Sequence, residues 1–132
     1  MLNTLNADSR FMLFGSRSKN AATDSSDWDF SAAYSEPLVD ELIALGFRRV
    51  EKLTQYMDSL TSAIFSYVDF NSFTQIHVVL HSDEDTFRRV WNSITPKEYA
   101  QYISKQSELY RGYTARETRQ AIQHYMNQRY MT

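Results

Sequence analysis

The sequence predicts a mixed α/β domain, with a small sheet in residues 1–81 and helices in residues 82–132. Three observations carry that expectation. Short apolar or alternating runs at 10–14, 27–34, 61–68 and 74–80 have strand length and strand composition. A single helical pattern, Leu38, Leu42 and Leu45, sits between the second and third of them. Beyond Ser82 the period of two disappears, and apolar residues recur at helical spacing.

Taken in order, Arg10-Phe-Met-Leu-Phe14 reads as a strand entering a turn at Gly15. Residues 16–26 are small, polar and turn-rich, with room for one short helical turn whose first amides lie at Gly15-Ser16. Asp27 to Tyr34 reads as a second strand, with Trp28, Phe30 and Ala32 on one face and Asp27, Asp29 and Ser31 on the other. Glu36-Pro37 opens a helix that Gly46 ends. Phe47 to Leu53 suits a strand of mixed facing, and 54–60 a loop or short helix. Thr61–Val68 and Thr74–Leu80 suit an antiparallel hairpin around Asp69-Phe-Asn-Ser-Phe73. Ser82-Asp-Glu-Asp85 starts a helix through Phe87, Val90 and Trp91. Pro96 stops that helix and begins another, with Tyr99, Tyr102 and Ile103. Thr114-Ala-Arg-Glu117 matches a capping box for a last helix through Ala121, Ile122 and Tyr125.

At 132 residues and 42% hydrophobic content, the chain suits one packed domain. No apolar run is long enough to span a bilayer, and MLNTLNADSR lacks the order of a secretory signal. With no cysteine, disulfides, thiolate catalysis and cysteine-ligated zinc are excluded, and a cytoplasmic setting fits. The net charge of −2 provides no global field for nucleic acid. Two local basic clusters, Arg10/Arg17/Lys19 and Arg48/Arg49/Lys52, could meet a small polyanion, although solvated surface charge is the commoner fate of the second. The nine Tyr, eight Phe and two Trp form no basic-aromatic repeat, so most are expected in or near the core.

The chemistry-bearing constellation begins at Gly15-Ser16. A Gly turn at a strand end lets backbone amides approach phosphate oxygens, and the Ser16 hydroxyl adds a donor. Asp27 and Asp29, at i and i+2 of a neighbouring strand, can share hard divalent cations such as Mg²⁺ or Mn²⁺. Such cations neutralise a triphosphate and orient in-line attack on its α-phosphorus. The plainer alternative is a polar turn followed by an edge strand with solvent-facing acids.

The stretch FMLFGSRSKNAATDSSDWDFS resembles the minimal nucleotidyltransferases of the polymerase-beta-like superfamily, whose hallmark is a strand, Gly-Ser, then a strand bearing two aspartates one residue apart. The likeness extends to Arg17 and Ser26. The order of elements from Gly46 onward is similar to small phage-encoded members, which would act in a host cytoplasm. By this resemblance Gly15 and Ser16, with Arg17 and Lys19, bind nucleotide phosphates, and Asp27 and Asp29 ligate metal. The implied ligand is an NTP, ATP by preference, and the implied reaction moves NMP to a hydroxyl on a protein or RNA acceptor.

That superfamily adds a third acid from a later strand, often as base on the attacking hydroxyl. Here Ile76-His77-Val78 puts histidine at the preferred place. His77 could act as a base because its free pKa lies near neutrality, but imidazole is a poor Mg²⁺ ligand. Val50-Glu51-Lys52 ranks second, and Val68-Asp69-Phe70, at a turn where Asp is common for local reasons, ranks third. Two functions therefore compete. One is an active transferase. The other is a degenerate member kept as a binding or inhibitory protein, antitoxin-like or a phage counter-defence factor. The Tyr- and Arg-rich tail around Tyr110, Arg111 and Tyr113 would suit docking, or would simply close the core.

Overall fold

The computed structural model describes residues 1–24, 26–50, 59–71, 73–100, 124 and 126–131. It is a mixed α/β protein built on a five-stranded sheet. The first element, α1 (Leu2–Asn6), carries no strong sequence signal. A helix this short does not stand alone in water. Leu5, 1% exposed, anchors it in the core.

Strand β1 (Met12–Phe14) runs antiparallel to β2 (Trp28–Ala33), with Phe14 opposite Asp29. A 3-10 turn at Ser16–Ser18 leaves β1, as the small polar stretch suggests. Helix α2 (Glu36–Ala44) is capped by the Ser35 hydroxyl, which accepts from the Leu38 N–H at 3.2 Å; Pro37 lies in its first turn. Gly46, at φ 100°, ends the helical segment in a conformation that a Cβ would oppose.

The strand expected over 47–53 is shorter: β3 is Arg48–Arg49, prolonged by a bond from the Val50 N–H to the Ile64 carbonyl at 2.9 Å. Residues 51–53, and with them the alternative acid Glu51, lie outside the described residues. So do the Thr114 capping box and the tail around Tyr110. Strands β4 (Thr61–Asp69) and β5 (Thr74–His81) form the expected antiparallel hairpin, with a register shift between Thr61 and Ala63.

Helix α3 (Glu84–Ser93) follows, its N-cap Asp83 accepting from the Thr86 N–H at 3.1 Å. Residues 96–100 are helical. Thr95 and Glu98 bond reciprocally, at 3.0 and 3.3 Å, forming a capping box at the start of this helix.

Strand order is β1-β2-β5-β4-β3, and β2 and β5 form the parallel pair at its heart. Alternation sends Phe30, Ala32, Ile76, Val78, Leu80 and Phe65 to one face, where Leu5, Leu38, Val39 and Leu42 from α1 and α2 cover them. The second face is covered by Phe87, Val90, Trp91 and Ile94, joined by Tyr99 and Met126. This second layer explains a difference from expectation: His77 and Val79, on the non-core side of the alternation, are buried as well.

Candidate functional site

The parallel register sets Asp29 beside His77 as Cα partners, so period two places both side chains on the α3 face. Asp27, just before β2, joins them. His77 Nδ1 lies 3.4 Å from Asp29 Oδ1 and 3.7 Å from Asp27 Oδ2. The two carboxylates thus converge on one imidazole, as alternation along both strands requires. Their side chains are 26% and 16% exposed, against 3% for His77, so the carboxylates form the solvent-facing side of the cluster.

Gly15 completes it. At φ 75° it occupies a region that L-residues avoid, and a Cβ there would sit 2.5 Å from Asp29 Oδ2. The glycine therefore serves twice, permitting the turn and letting the backbone lie against the Asp29 carboxylate. Asp29 Oδ1 is buried and accepts no hydrogen bond. Burying a carboxylate oxygen without a hydrogen bond is costly, which sets Asp29 apart from an ordinary surface acid.

The other expected phosphate ligands are engaged in structure. Arg17 donates from Nε and Nη2 to the Ser26 carbonyl at 3.1 and 2.7 Å and stacks 4.0 Å over the Trp28 ring. It ties the loop to the start of β2. Lys19 points elsewhere. Its ammonium donates to the Trp91 and Ile94 carbonyls at 2.9 and 2.6 Å and lies 4.7 Å from the Trp91 ring centroid, closing the C-terminal end of α3. Burial holds its pKa below the ordinary lysine value. These bonds leave Lys19 as a clasp between the loop and α3 rather than a donor to phosphate. Ser18, two residues after the expected Ser16, bonds the Gly15 carbonyl at 2.9 Å and accepts from the Trp91 indole at 3.0 Å, fixing the turn against α3.

Asp69, the third-ranked acid, lies at the hairpin turn and accepts from the Asn71 N–H at 2.9 Å. Its role is that of a turn residue. Tyr99 was absent from the sequence reading of the site. Burial first, and then the charge of Asp29, push its phenol up to about 12. The helical spacing of Tyr99 and Tyr102 gave no sign of that neighbourhood.

A second polar cluster, also unforeseen, lies farther along the same two strands. The Ser31 hydroxyl donates to Glu84 Oε2 at 2.6 Å and lies 2.8 Å from His81 Nδ1, and Glu84 Oε1 accepts from Arg88 Nε at 2.6 Å. Burial raises the Glu84 carboxyl, but bonds from His81, Ser31 and Arg88 together outweigh it and hold it below its ordinary range. Serine, histidine and glutamate here are not a nucleophilic triad. Ser31 and Glu84 approach the same ring nitrogen, whereas a relay needs the hydroxyl on one nitrogen and the acid on the other. His81 stacks on Phe87 at 3.9 Å, deep in the second core.

Among the described residues, no group of three or more His, Asp and Glu is disposed as a metal cage. A cation at Asp27 and Asp29 would lean on two carboxylates, water and phosphate oxygens, which is a usual coordination for Mg²⁺. Comparison with protein-family models, curated proteins and solved structures finds no match for the chain. No helix among the described residues is long and apolar enough to cross a membrane.

Proposed function

We propose that the chain is nucleotidyltransferase-like, binding an NTP with Mg²⁺ at Asp27, Asp29 and the Gly15-Ser16 turn, and that transfer of NMP to a hydroxyl is the chemistry this site suits. The observation that carries the reading is the convergence of the two carboxylates beside Gly15, with Asp29 Oδ1 buried and accepting no hydrogen bond. A hard divalent cation would be held by Asp27 and Asp29 and would offset the charge of the two acids. Bound Mg²⁺ would also neutralise triphosphate charge and polarise the α-phosphorus.

The protein's part is positioning. The Gly15-Ser16 turn would offer phosphate oxygens its free amides, Arg17 keeps the loop folded, and glycine at 15 lets the turn lie against the Asp29 carboxylate. In the transfer an acceptor hydroxyl oxygen bonds to the α-phosphorus, the bond from that phosphorus to the α,β-bridging oxygen breaks, and pyrophosphate departs. On this reading His77, beside Asp29, would take the hydroxyl proton. The nucleotidyltransferase-like core and a helical C-terminal part belong to this proposal, as does ATP as the preferred nucleotide.

The second reading, a degenerate member acting as a binding or inhibitory protein, draws on one observation. Histidine, not an acid, stands beside Asp29, and it is almost wholly buried. Two measurements separate the readings. Mg²⁺-ATP should raise the thermal midpoint under either, through linkage. Incubation with α-labelled NTPs and a cell extract should label a macromolecule only under the first. His77→Asp should create labelling in a degenerate protein and abolish it in an active one. A folded protein whose midpoint ignores millimolar Mg²⁺-ATP would sink both readings.

A further inference from the structure

Strand β3 stands at the outer edge of the sheet, and part of its main chain is unused. The Val50 N–H bonds the Ile64 carbonyl at 2.9 Å, and Arg48 and Arg49 pair with Ser66 and Phe65. Bonds in an antiparallel pair fall at alternate residues. Arg48 and Val50 therefore turn their main-chain groups to β4, while Arg49 turns its N–H and carbonyl away from it. Among the described residues neither of those Arg49 groups meets a hydrogen-bond partner. The edge keeps one donor and one acceptor ready for a further strand.

The side chains around that edge narrow the occupant to one kind. Arg48 and Arg49 are exposed, and among the described residues neither forms an ion pair; by alternation they stand on opposite faces of the sheet. A copy of this chain laid edge to edge would set arginine against arginine, which opposes self-pairing. A cavity of about 710 Å³ opens beside the edge, and Gly46, Val68 and Phe70 share its lining with the two arginines. Of the described residues that line it, none is acidic. Val68 is 46% exposed and Phe70 77%. Continuing the register from Arg48 brings Phe47 against Tyr67, their rings 5.2 Å apart, and Gly46 towards Val68, where the glycine has no side chain to fill the space. The edge thus offers main-chain pairing, two cations and, two residues from Arg48 on the same face, an apolar recess. A polynucleotide would answer the arginines but has no peptide groups to pair with Arg49.

We propose that this edge takes an extended acidic segment of a partner protein as an added strand. A carbonyl of the segment accepts from the Arg49 N–H, and one of its N–H groups donates to the Arg49 carbonyl. Two adjacent acids meet Arg48 and Arg49, one on each face. Two positions beyond the acid that meets Arg48, an apolar side chain enters the recess formed by Gly46, Val68 and Phe70. The surface stands apart from Asp27 and Asp29, and the proposal holds whichever chemistry that site performs.

Fluorescence anisotropy with the dye-labelled peptide Thr-Val-Thr-Glu-Glu-Thr-Phe-Thr-Val, and with its reversed order for the opposite strand direction, tests this. At least one order should bind with Kd below about 1 mM at low salt, and binding should weaken as salt rises. Replacing both Arg48 and Arg49 by Ala should weaken it about tenfold, and Phe70→Ala about threefold or more. N-methylation of the peptide at both glutamates removes main-chain donors and keeps the charge, and should weaken binding about fivefold or more. The substituted positions are exposed, so the variants should keep the wild-type thermal midpoint. If one does not, the N-methylated peptide against wild type decides alone. Absence of binding by both orders would overturn the proposal. So would binding untouched by the arginine replacements, or an N-methylated peptide that binds as well as its parent, which would leave plain charge attraction. A short oligonucleotide that binds more tightly and displaces the peptide would give the edge to polynucleotide instead. A dimer in sedimentation that the peptide dissociates would give it to a second copy.

Discussion

His77 and His81 lie on the same strand, on the same face, and each meets acids contributed by other parts of the chain. Around His81 the account closes. Ser31 and Arg88 donate to the Glu84 carboxylate, His81 lies within 3.3 Å of it, and the guanidinium balances its charge. The surroundings of His77 are of another kind. Two carboxylates face one imidazole, and an oxygen of Asp29 is buried without a donor. The first cluster is a completed polar network of the kind that fixes how a helix docks on a sheet. The second gathers two partly exposed carboxylates, where, on the reading proposed above, a cation would bind. One strand pair thus carries both clusters, and the hydrogen bonding of Glu84 against that of Asp29 Oδ1 distinguishes them.

Glu84→Ala should produce the largest change, because it leaves Arg88, Ser31 and His81 without their shared acceptor. A loss of about 2–3 kcal/mol is expected in urea denaturation. The sign with pH follows from the lowered Glu84 pKa. Its contribution is present above the unfolded glutamate value and is lost as pH falls through the depressed folded value. The variant should therefore lose part of the acid-side slope of stability. A variant as stable as wild type at neutral pH would erase the contrast between the two clusters.

Gly15→Ala should cost about 1–2 kcal/mol, since φ stays positive and the new Cβ meets Asp29 Oδ2. Combining it with Asp29→Ala should recover only part of that loss. Full recovery would mean that contact alone, and not the backbone conformation, demands glycine.

Tyr99 offers a spectroscopic probe of the same site. With its phenol pushed up to about 12, the stability it contributes is whole below the free tyrosine value and disappears as pH rises through the folded value. Alkaline titration of phenolate absorbance should show a late component that Tyr99→Phe removes. Asp29→Asn should move that component to lower pH. A component indifferent to Asp29 would show that burial alone sets it.

The smallest expected change in the unliganded protein, and the sharpest in sign, is that of Asp29→Asn. It removes one of two facing charges and costs no hydrogen bond at Oδ1, so stability should hold or rise by up to about 1 kcal/mol. The midpoint shift with Mg²⁺-ATP should vanish in the same variant. Marked destabilisation would make Asp29 a structural acid like Glu84.

Much of this was legible in the residues. The alternation of Trp28, Phe30 and Ala32 against Asp27 and Asp29, and of Ile76, Val78 and Leu80 against His77, suffices to put the three polar side chains on one face. Ser35, Pro37 and Gly46 bounded α2 through local capping chemistry. Less legible were the partners of long side chains. Arg17 and Lys19 look alike as loop cations, yet one folds back on its own loop and the other crosses to the end of α3.

The sequence by itself determined the facing of residues along β2 and β5, the turn at Gly15 and the limits of α2, because period, φ preference and capping act between near neighbours in the chain. Tertiary structure decided the rest. Parallel pairing of β2 with β5 set His77 beside Asp29 and not beside Ser31, and α3 buried the second face and enclosed His81 with Glu84. The crossing of the sheet brought Ser66 and Arg48 into line with the acids. Such distances depend on which strands pair and in what register, and that choice is made by the burial of both faces together, which no local stretch encodes.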